Sequence, residues 1–277
     1  MKKGISAWAF PNKLTLGEIF KQARENGFEG VELAIAEDGE LNLESSISDI
    51  KGIKQRACDN GIELYSVATG LFWQYSLTSD DESIRKKAMY CAQKEITAAE
   101  ALGCNTVLVI PGMVSNDEVS DEKMVPYDKI YERALNAIKE LAQFAKNRGV
   151  CIGVENVWNN FLTSPFEMRD FIDKAGDNTG AYFDVGNVVI NGYPEQWIAL
   201  LGNRIKKVHF KDFKRSIGTI EGFVDLLEGD VNYKNVMNAL RQSGYDDWVT
   251  AEVFPYRTHN EVLLLHTSKA MDIILGR

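Results

Sequence analysis

The sequence predicts an α/β protein folded as a (β/α)8 barrel, and three observations lead to it. Short, nearly continuous apolar segments recur at 4–8, 30–34, 62–68, 106–110, 150–155, 181–184, 205–210 and 248–253. Such runs are what strands buried on both faces of a parallel sheet look like. Stretches with apolar residues at helical spacing separate them, and a β-then-α alternation puts helices outside a parallel sheet. The repeat, roughly 30–35 residues long, continues from end to end as a barrel of eight such units requires. No Pro- or Ser-rich linker interrupts it, and the six prolines are scattered.

Taken in order, the first strand, 4–8, ends on Trp8, and Asn26-Gly27 closes the helix before the second, which carries Glu32. Asn60-Gly61 plays the same part before the third strand, and Trp73 follows that strand. The helix over 84–102 aligns Ala88, Cys91, Ala92, Ile96 and Ala99, then stops at Leu102-Gly103 ahead of the fourth strand. The helix over 129–146 repeats Ile130, Ala134, Ile138, Leu141, Ala142 and Ala145 at helical spacing, which makes one face apolar. Arg148-Gly149 ends it before the fifth strand, and Ser243-Gly244 precedes the eighth. Glycine at these stops supplies the left-handed conformation that commonly ends a helix. An open doubly wound sheet is the competing topology, but its G-x-G-x-x-G fingerprint is missing after the first strand. A single barrel domain over 1–277 is expected.

The chain has 31 basic and 40 acidic side chains, a formal charge of −9. That balance argues against a broad nucleic-acid or anionic-membrane surface, which needs concentrated positive charge. No apolar run follows the opening lysines of MKKGISAWAFPNK, so no secretory signal is expected, and no segment is apolar for long enough to cross a membrane. Cys58, Cys91, Cys104 and Cys151 show no C-x-x-C spacing and are expected to be buried, reduced thiols. A cytoplasmic protein is the expectation.

In barrels of this kind, catalytic groups sit at the C-terminal ends of the strands. The last four strands end on, or just before, Glu155, Asp184, His209 and Glu252. Histidine occurs only at 209, 259 and 266, so the single histidine within a strand falls in this set. A lone acid at a strand end is commonly a helix cap, but four ionisable groups on adjacent strands point to a metal site. Three carboxylates and one imidazole form a hard donor set suited to Mn²⁺, Mg²⁺ or Co²⁺; structural zinc favours thiolates.

The segments Val154-Glu-Asn-Val-Trp-Asn-Asn-Phe161, Phe183-Asp-Val-Gly-Asn187, Val208-His-Phe-Lys-Asp212 and Gly244-Tyr-Asp-Asp-Trp-Val-Thr-Ala-Glu252 resemble the sugar phosphate isomerase/epimerase family of xylose-isomerase-like TIM barrels. The resemblance extends over essentially the whole chain, including Gly27-Phe-Glu-Gly-Val-Glu-Leu33. The Asp-Val-Gly-Asn and His-x-Lys-Asp pieces look closest to the L-xylulose-5-phosphate 3-epimerase and hexulose-6-phosphate isomerase-like branch. The resemblance implies one divalent ion, Mn²⁺ foremost, held by Glu155, Asp184, His209 and Glu252. It also implies Glu155 and Glu252 as an acid–base pair, with a small sugar or sugar phosphate as substrate; a homo-oligomer is left open. Two positions depart from the tagatose/psicose-type enzymes: Asn187 stands in place of a histidine, and Phe161 in place of a glutamate. Both point away from a free-ketose epimerase.

Chemistry of that class removes a proton beside a carbonyl and stabilises the resulting enediolate, with a divalent ion as Lewis acid and carboxylates as base and acid. Around the quartet, Trp8, Glu32, Trp73, Trp158, Asn187 and Lys211 are expected to shape a substrate pocket. Lys211, Lys214 and Arg215 after the seventh strand, and Arg257 and His259 after the eighth, are candidates for a phosphate anchor, and Lys206, Lys207, Lys211, Lys214 and Arg215 read equally well as a solvated basic face. The loop over 213–231 has the length of a lid. Three other functions compete with this one. An endonuclease IV-like hydrolase is disfavoured, because that centre uses several histidines and the chain is acidic. An inosose dehydratase-like lyase and a non-catalytic metabolite-binding barrel remain as alternatives.

Overall fold

The apolar segments pair in parallel, each with its neighbour in sequence. The computed structural model describes residues 1–115 and 124–277. Its strands are β1 (Lys2–Ser6), β2 (Gly30–Ala34), β3 (Glu63–Ala68), β4 (Thr106–Val109), β5 (Cys151–Glu155), β6 (Thr179–Asp184), β7 (Ile205–Phe210), the short ribbon β8 (Asp212–Phe213) and β9 (Phe223–Val224), and β10 (Trp248–Ala251). Among the described residues, eight of these close a barrel in the order β1-β10-β7-β6-β5-β4-β3-β2, with β8 and β9 forming a separate antiparallel pair. The predicted barrel is therefore observed. The first strand lies two residues earlier than predicted, because Trp8 belongs to a 3-10 turn over Ala7–Ala9 whose start is capped by the Ser6 side chain.

The helices around the barrel are α1 (Leu16–Glu25), α2 (Ile47–Asp59), α3 (Leu71–Gln74), α4 (Glu82–Leu102), α5 (Tyr127–Lys146), α6 (Pro165–Ala175), α7 (Pro194–Leu201), α8 (Tyr233–Gln242) and α9 (Asn260–Leu275). Local chemistry starts them. Thr15 with Glu18, and Ser46 with Asp49, form reciprocal capping boxes on α1 and α2, each satisfying two amides that the first turn leaves free. Ser164 caps α6 ahead of Pro165, where the missing proline N–H costs no helical hydrogen bond. At the far end of α4, Gly103 takes φ 83°, a conformation that a β-carbon would strain. The faces predicted for α4 and α5 are the buried ones. Cys91 and Cys104 are buried, but Cys58 is exposed and Cys151 only partly covered. The expectation of four buried thiols fails at Cys58 because it lies on the solvent side of α2.

Register places the site. Asp184 pairs with His209 across β6 and β7, Thr250 of β10 pairs with His209 from the other side, and Glu155 pairs with Tyr182. All three acids or bases thus reach the same rim. The segment beyond β7 folds back as the β8–β9 ribbon around Asp212, whose buried carboxylate accepts hydrogen bonds from the amides of Phe213, Leu227 and Val231. A β-carbon at Gly229 would stand 2.1 Å from Asp212 Oδ1, so this knot tolerates only glycine there. Among the described residues, no helix is long and apolar enough to cross a membrane.

Among the described residues, one acid outside the site, Glu95 of α4, is fully buried with both carboxylate oxygens unpaired. Burial, then the charge of Glu32, pushes its carboxyl well above the ordinary range, with the Leu108 amide opposing. The folded protein therefore keeps a proton that the unfolded chain releases, so stability declines as pH rises above the ordinary glutamate range. Glu95→Met is expected to raise unfolding stability by about 1–3 kcal/mol at pH 8, the usual cost of an unsatisfied buried polar group, and by less at pH 5. Urea denaturation of both proteins at the two pH values measures this, and an equal effect at both would show that Glu95 does not titrate.

Candidate metal centre

Four side chains converge where β5, β6, β7 and β10 end. Glu155, Asp184, His209 and Glu252 each present one ligand atom, and these atoms lie within 4.8 Å of one another. His209 Nδ1 faces Glu252 Oε2 at 2.7 Å, Glu155 Oε1 at 3.2 Å and Asp184 Oδ2 at 4.0 Å. Glu252 Oε2 and Asp184 Oδ2 are buried without a hydrogen-bond partner, although the first is close to the imidazole; its approach is off the direction a hydrogen bond needs. Two orphaned carboxylate oxygens and a ring nitrogen aimed at one point fit a divalent cation, because buried oxygens of this kind need a positive partner.

The other face of the imidazole is fixed from inside the barrel. His209 Nε2 lies 2.9 Å from Glu32 Oε1. Glu32 Oε2 in turn accepts from Ser66 Oγ at 2.9 Å and from the Tyr182 hydroxyl. A carboxylate holding the Nε2 proton leaves the Nδ1 lone pair free for a metal, the usual carboxylate–histidine–metal relay. Asp184 is oriented likewise: its Oδ1 accepts from the Asn187 amide at 2.8 Å, while Asn156 bonds both its backbone N–H and C=O.

Electrostatics divide the carboxylates. Burial raises Glu155 to about 7, against the pull of His209. Burial also raises Asp184, with Lys211 opposing. At Glu252, Lys211 and His209 together outweigh burial and hold the carboxyl down at about 2. Lys211 Nζ stands 2.9 Å from Glu252 Oε1 and 3.6 Å from Asp184 Oδ2. Burial disfavours the charged imidazole of His209, but Glu32, Glu252 and Glu155 outweigh it and push the ring well above its ordinary range.

Above the quartet lies a cavity of about 510 Å³. Trp8, Trp73, Trp158, Asn187 and Lys211 line it, as do Glu155 and Glu252, whereas Asp184 and His209 lie beneath its floor. Two expectations need correction. Glu32 does not line the cavity; it is buried in the barrel interior because its carboxylate is satisfied by His209, Ser66 and Tyr182. Arg257 is not among its lining residues either; it lines a neighbouring cavity that shares Lys211, Phe223, Glu252 and Phe254 with this one, and another beside α9. Arg215 points away, donating to the carbonyls of Val189 and Gly192. Lys211 pairs with Glu252 and Asp184, and Asp212 with backbone amides. Phe161 packs with Tyr127, Tyr131 and Phe171. The ribbon roofs the cavity with Ile220 and Phe223. Sequence reasoning missed Ser66 and Tyr182 behind the histidine and Phe254 at the rim. Tyr182 and Phe254 each stand two residues from a ligand, on the same face of an extended chain, and that period was the available signal.

The chain belongs to the xylose isomerase-like TIM barrel family, whose model matches residues 20–272. A Haemophilus influenzae protein provisionally named L-ribulose-5-phosphate 3-epimerase is 25% identical over 270 residues, covering 95% of this chain and 92% of that protein. An inosose dehydratase of Lacticaseibacillus casei is 22% identical over 204 residues, covering 64% of this chain and 67% of that one. The structure of D-psicose 3-epimerase with D-tagatose from Clostridium cellulolyticum has the same fold, with a TM-score of 0.81 at 18% identity over 100% of this chain and 99% of the other.

Two outcomes are expected of metal titrations. Mn²⁺ affinity is expected to fall as pH drops, and more steeply below about 7, because both His209, pushed above its ordinary range, and Glu155 must lose a proton to serve as ligands. Calorimetry between pH 6 and 8 reads this, and a slope that does not steepen below about 7 would remove Glu155 from the ligand set. Glu32→Gln is expected to weaken Mn²⁺ binding by about 10–100-fold, the usual effect of losing such a partner.

Proposed function

We propose that the protein is a divalent-metal-dependent isomerase or epimerase acting on a ketose or ketose phosphate, with the barrel working as a single domain. The observation that carries this reading is the division of the quartet. Of its four members only Glu155 and Glu252 line the cavity, so two carboxylates face any bound sugar while Asp184 and His209 serve from beneath. Binding alone needs no paired carboxylates in the cavity wall; proton transfer does.

A divalent ion held by Glu155, Asp184, His209 and Glu252 would supply Lewis-acid stabilisation of the oxyanion formed beside the carbonyl. The chain's own groups do the rest. One glutamate takes the proton from the carbon next to the carbonyl, giving an enediolate. If the other returns a proton to the opposite side of that carbon, the carbon is inverted; if one group works on one face, the same intermediate gives 1,2-isomerisation. Lys211 holds Glu252 in position through its 2.9 Å contact. Trp8, Trp73 and Trp158 offer ring faces to the apolar side of a sugar, and Asn187 presents its side chain at the same wall. Within the family, the Asp-Val-Gly-Asn and His-x-Lys-Asp motifs and the 25% identity to the H. influenzae protein favour the L-xylulose-5-phosphate 3-epimerase and hexulose-6-phosphate isomerase-like branch.

The similarity to inosose dehydratases over 64% of the chain favours a second reading, in which the same proton abstraction is followed by loss of hydroxide. Mass analysis of product separates the two, since an isomerase conserves mass and a dehydratase loses water.

With Mn²⁺ present, the protein is expected to exchange solvent deuterium into the carbon beside the carbonyl of a ketose substrate. Glu252→Gln is expected to slow that exchange by about 10²–10⁴-fold, the range for a lost acid–base group. Exchange at the wild-type rate in that variant would remove Glu252 from proton transfer.

A further inference from the structure

We propose that Lys211 is a positioning residue that keeps Glu252 a one-oxygen ligand, so that part of the ion's coordination sphere stays free for the oxygens of a sugar. The proposal rests on the quartet as a metal site and deepens the isomerase/epimerase reading. It concerns what the contact between Lys211 and Glu252 prevents.

Two of the carboxylates use their oxygens in the same divided way. Asp184 Oδ1 accepts from the Asn187 amide at 2.8 Å, whereas Oδ2 has no hydrogen-bond partner and Lys211 Nζ stands off from it at 3.6 Å. Glu252 repeats the arrangement with a side chain in place of the backbone amide. Its Oε1 lies 2.9 Å from Lys211 Nζ, while Oε2 faces His209 Nδ1 at 2.7 Å without a hydrogen bond. Among the described residues, Lys211 is the one donor on Oε1. Glutamate has one more side-chain torsion than aspartate, and its terminal torsion is broad. Without the ammonium, Glu252 can therefore turn both oxygens to a cation, which Asp184, tied to the main chain, cannot.

Lys211 is itself fixed. A β-carbon at Gly186 would stand 2.5 Å from Lys211 Cβ, so the glycine of Asp184-Val-Gly-Asn187 lets the segments after β6 and β7 touch. The Tyr233 hydroxyl donates to the Lys211 carbonyl at 2.9 Å. Nζ lies over the Phe223 ring, 5.4 Å from its centroid. Charge agrees with geometry. Three carboxylates and a divalent ion leave one negative charge, which the ammonium cancels, and an uncompensated buried charge is costly. Loss of the ammonium thus strengthens the hold on a cation twice over, by an excess negative charge and by a second glutamate oxygen.

The test compares wild type with Lys211→Met, with Mn²⁺ alone as the probe and pH held constant. By calorimetry the variant is expected to bind Mn²⁺ about 10–100-fold tighter, the range for removing a partly screened unit charge a few ångströms away. Mn²⁺ usually takes about six donors, and the quartet offers one atom from each of its four members. A second Glu252 oxygen would occupy one of the remaining positions, so water-proton relaxation by the bound Mn²⁺ is expected to fall by about half. Where the variant is too unstable for calorimetry, the rise of its Tm with Mn²⁺ concentration reads the same affinity. A lysine with a purely structural role predicts the opposite sign, because its loss would loosen the site. An affinity that is unchanged or weaker, or an unchanged relaxation, overturns the proposal. Wild-type protein that does not bind Mn²⁺ overturns the metal site and the proposal together. If both readouts move as expected and no ketose exchanges solvent deuterium, the proposal stands and the isomerase/epimerase reading falls.

Discussion

The mouth of this barrel depends on one hydrogen bond inside it, from His209 Nε2 to Glu32. It crosses from β7 to β2, and the Ser66 and Tyr182 hydroxyls hold the glutamate at its other oxygen. Four strands therefore agree on the orientation of a single ring. With Nε2 committed, Nδ1 faces Glu155, Asp184 and Glu252. The position of each carboxylate then follows from strand register, because Asp184 and His209 are paired neighbours. A closed barrel is rigid enough to keep such a polar network in its interior, where every unsatisfied group carries a large penalty.

Much of this was legible in the sequence. Eight apolar runs and the helical faces of α4 and α5 are written directly in residue spacing, and burial on both sides of a parallel strand leaves little ambiguity. The quartet was legible because strand ends in a barrel converge by topology, without knowledge of any side-chain rotamer. Glu32 was misplaced for the converse reason. Sequence shows an acid near a strand end but not whether it points up to the cavity or inward to the barrel axis, and a partner 177 residues away decides that. Arg215 follows the same pattern: its charge is visible in sequence, while the direction of its side chain is set by the Val189 and Gly192 carbonyls and the Tyr193 ring within reach.

The site also shows a division of labour that residue types alone do not reveal. Asp184 and His209 are wholly buried, tied to backbone and interior groups, and absent from the cavity wall. Glu155 and Glu252 form part of the cavity wall, and their surroundings differ, one largely desolvated and the other facing Lys211. Two chemically identical side chains are thereby made unlike, a condition under which a donor and an acceptor can coexist at one pH.

The knot at Asp212 has a mechanical corollary. Its carboxylate gathers the amides that shape the roof over the cavity, and Asp212 is joined by a single peptide bond to Lys211, the cation that neutralises Glu252. The hydrogen bonds that shape the roof and the ammonium that neutralises Glu252 thus sit on adjacent residues, so a sequence change in the ribbon that shifts Asp212 acts one peptide bond from the charge balance at the carboxylates.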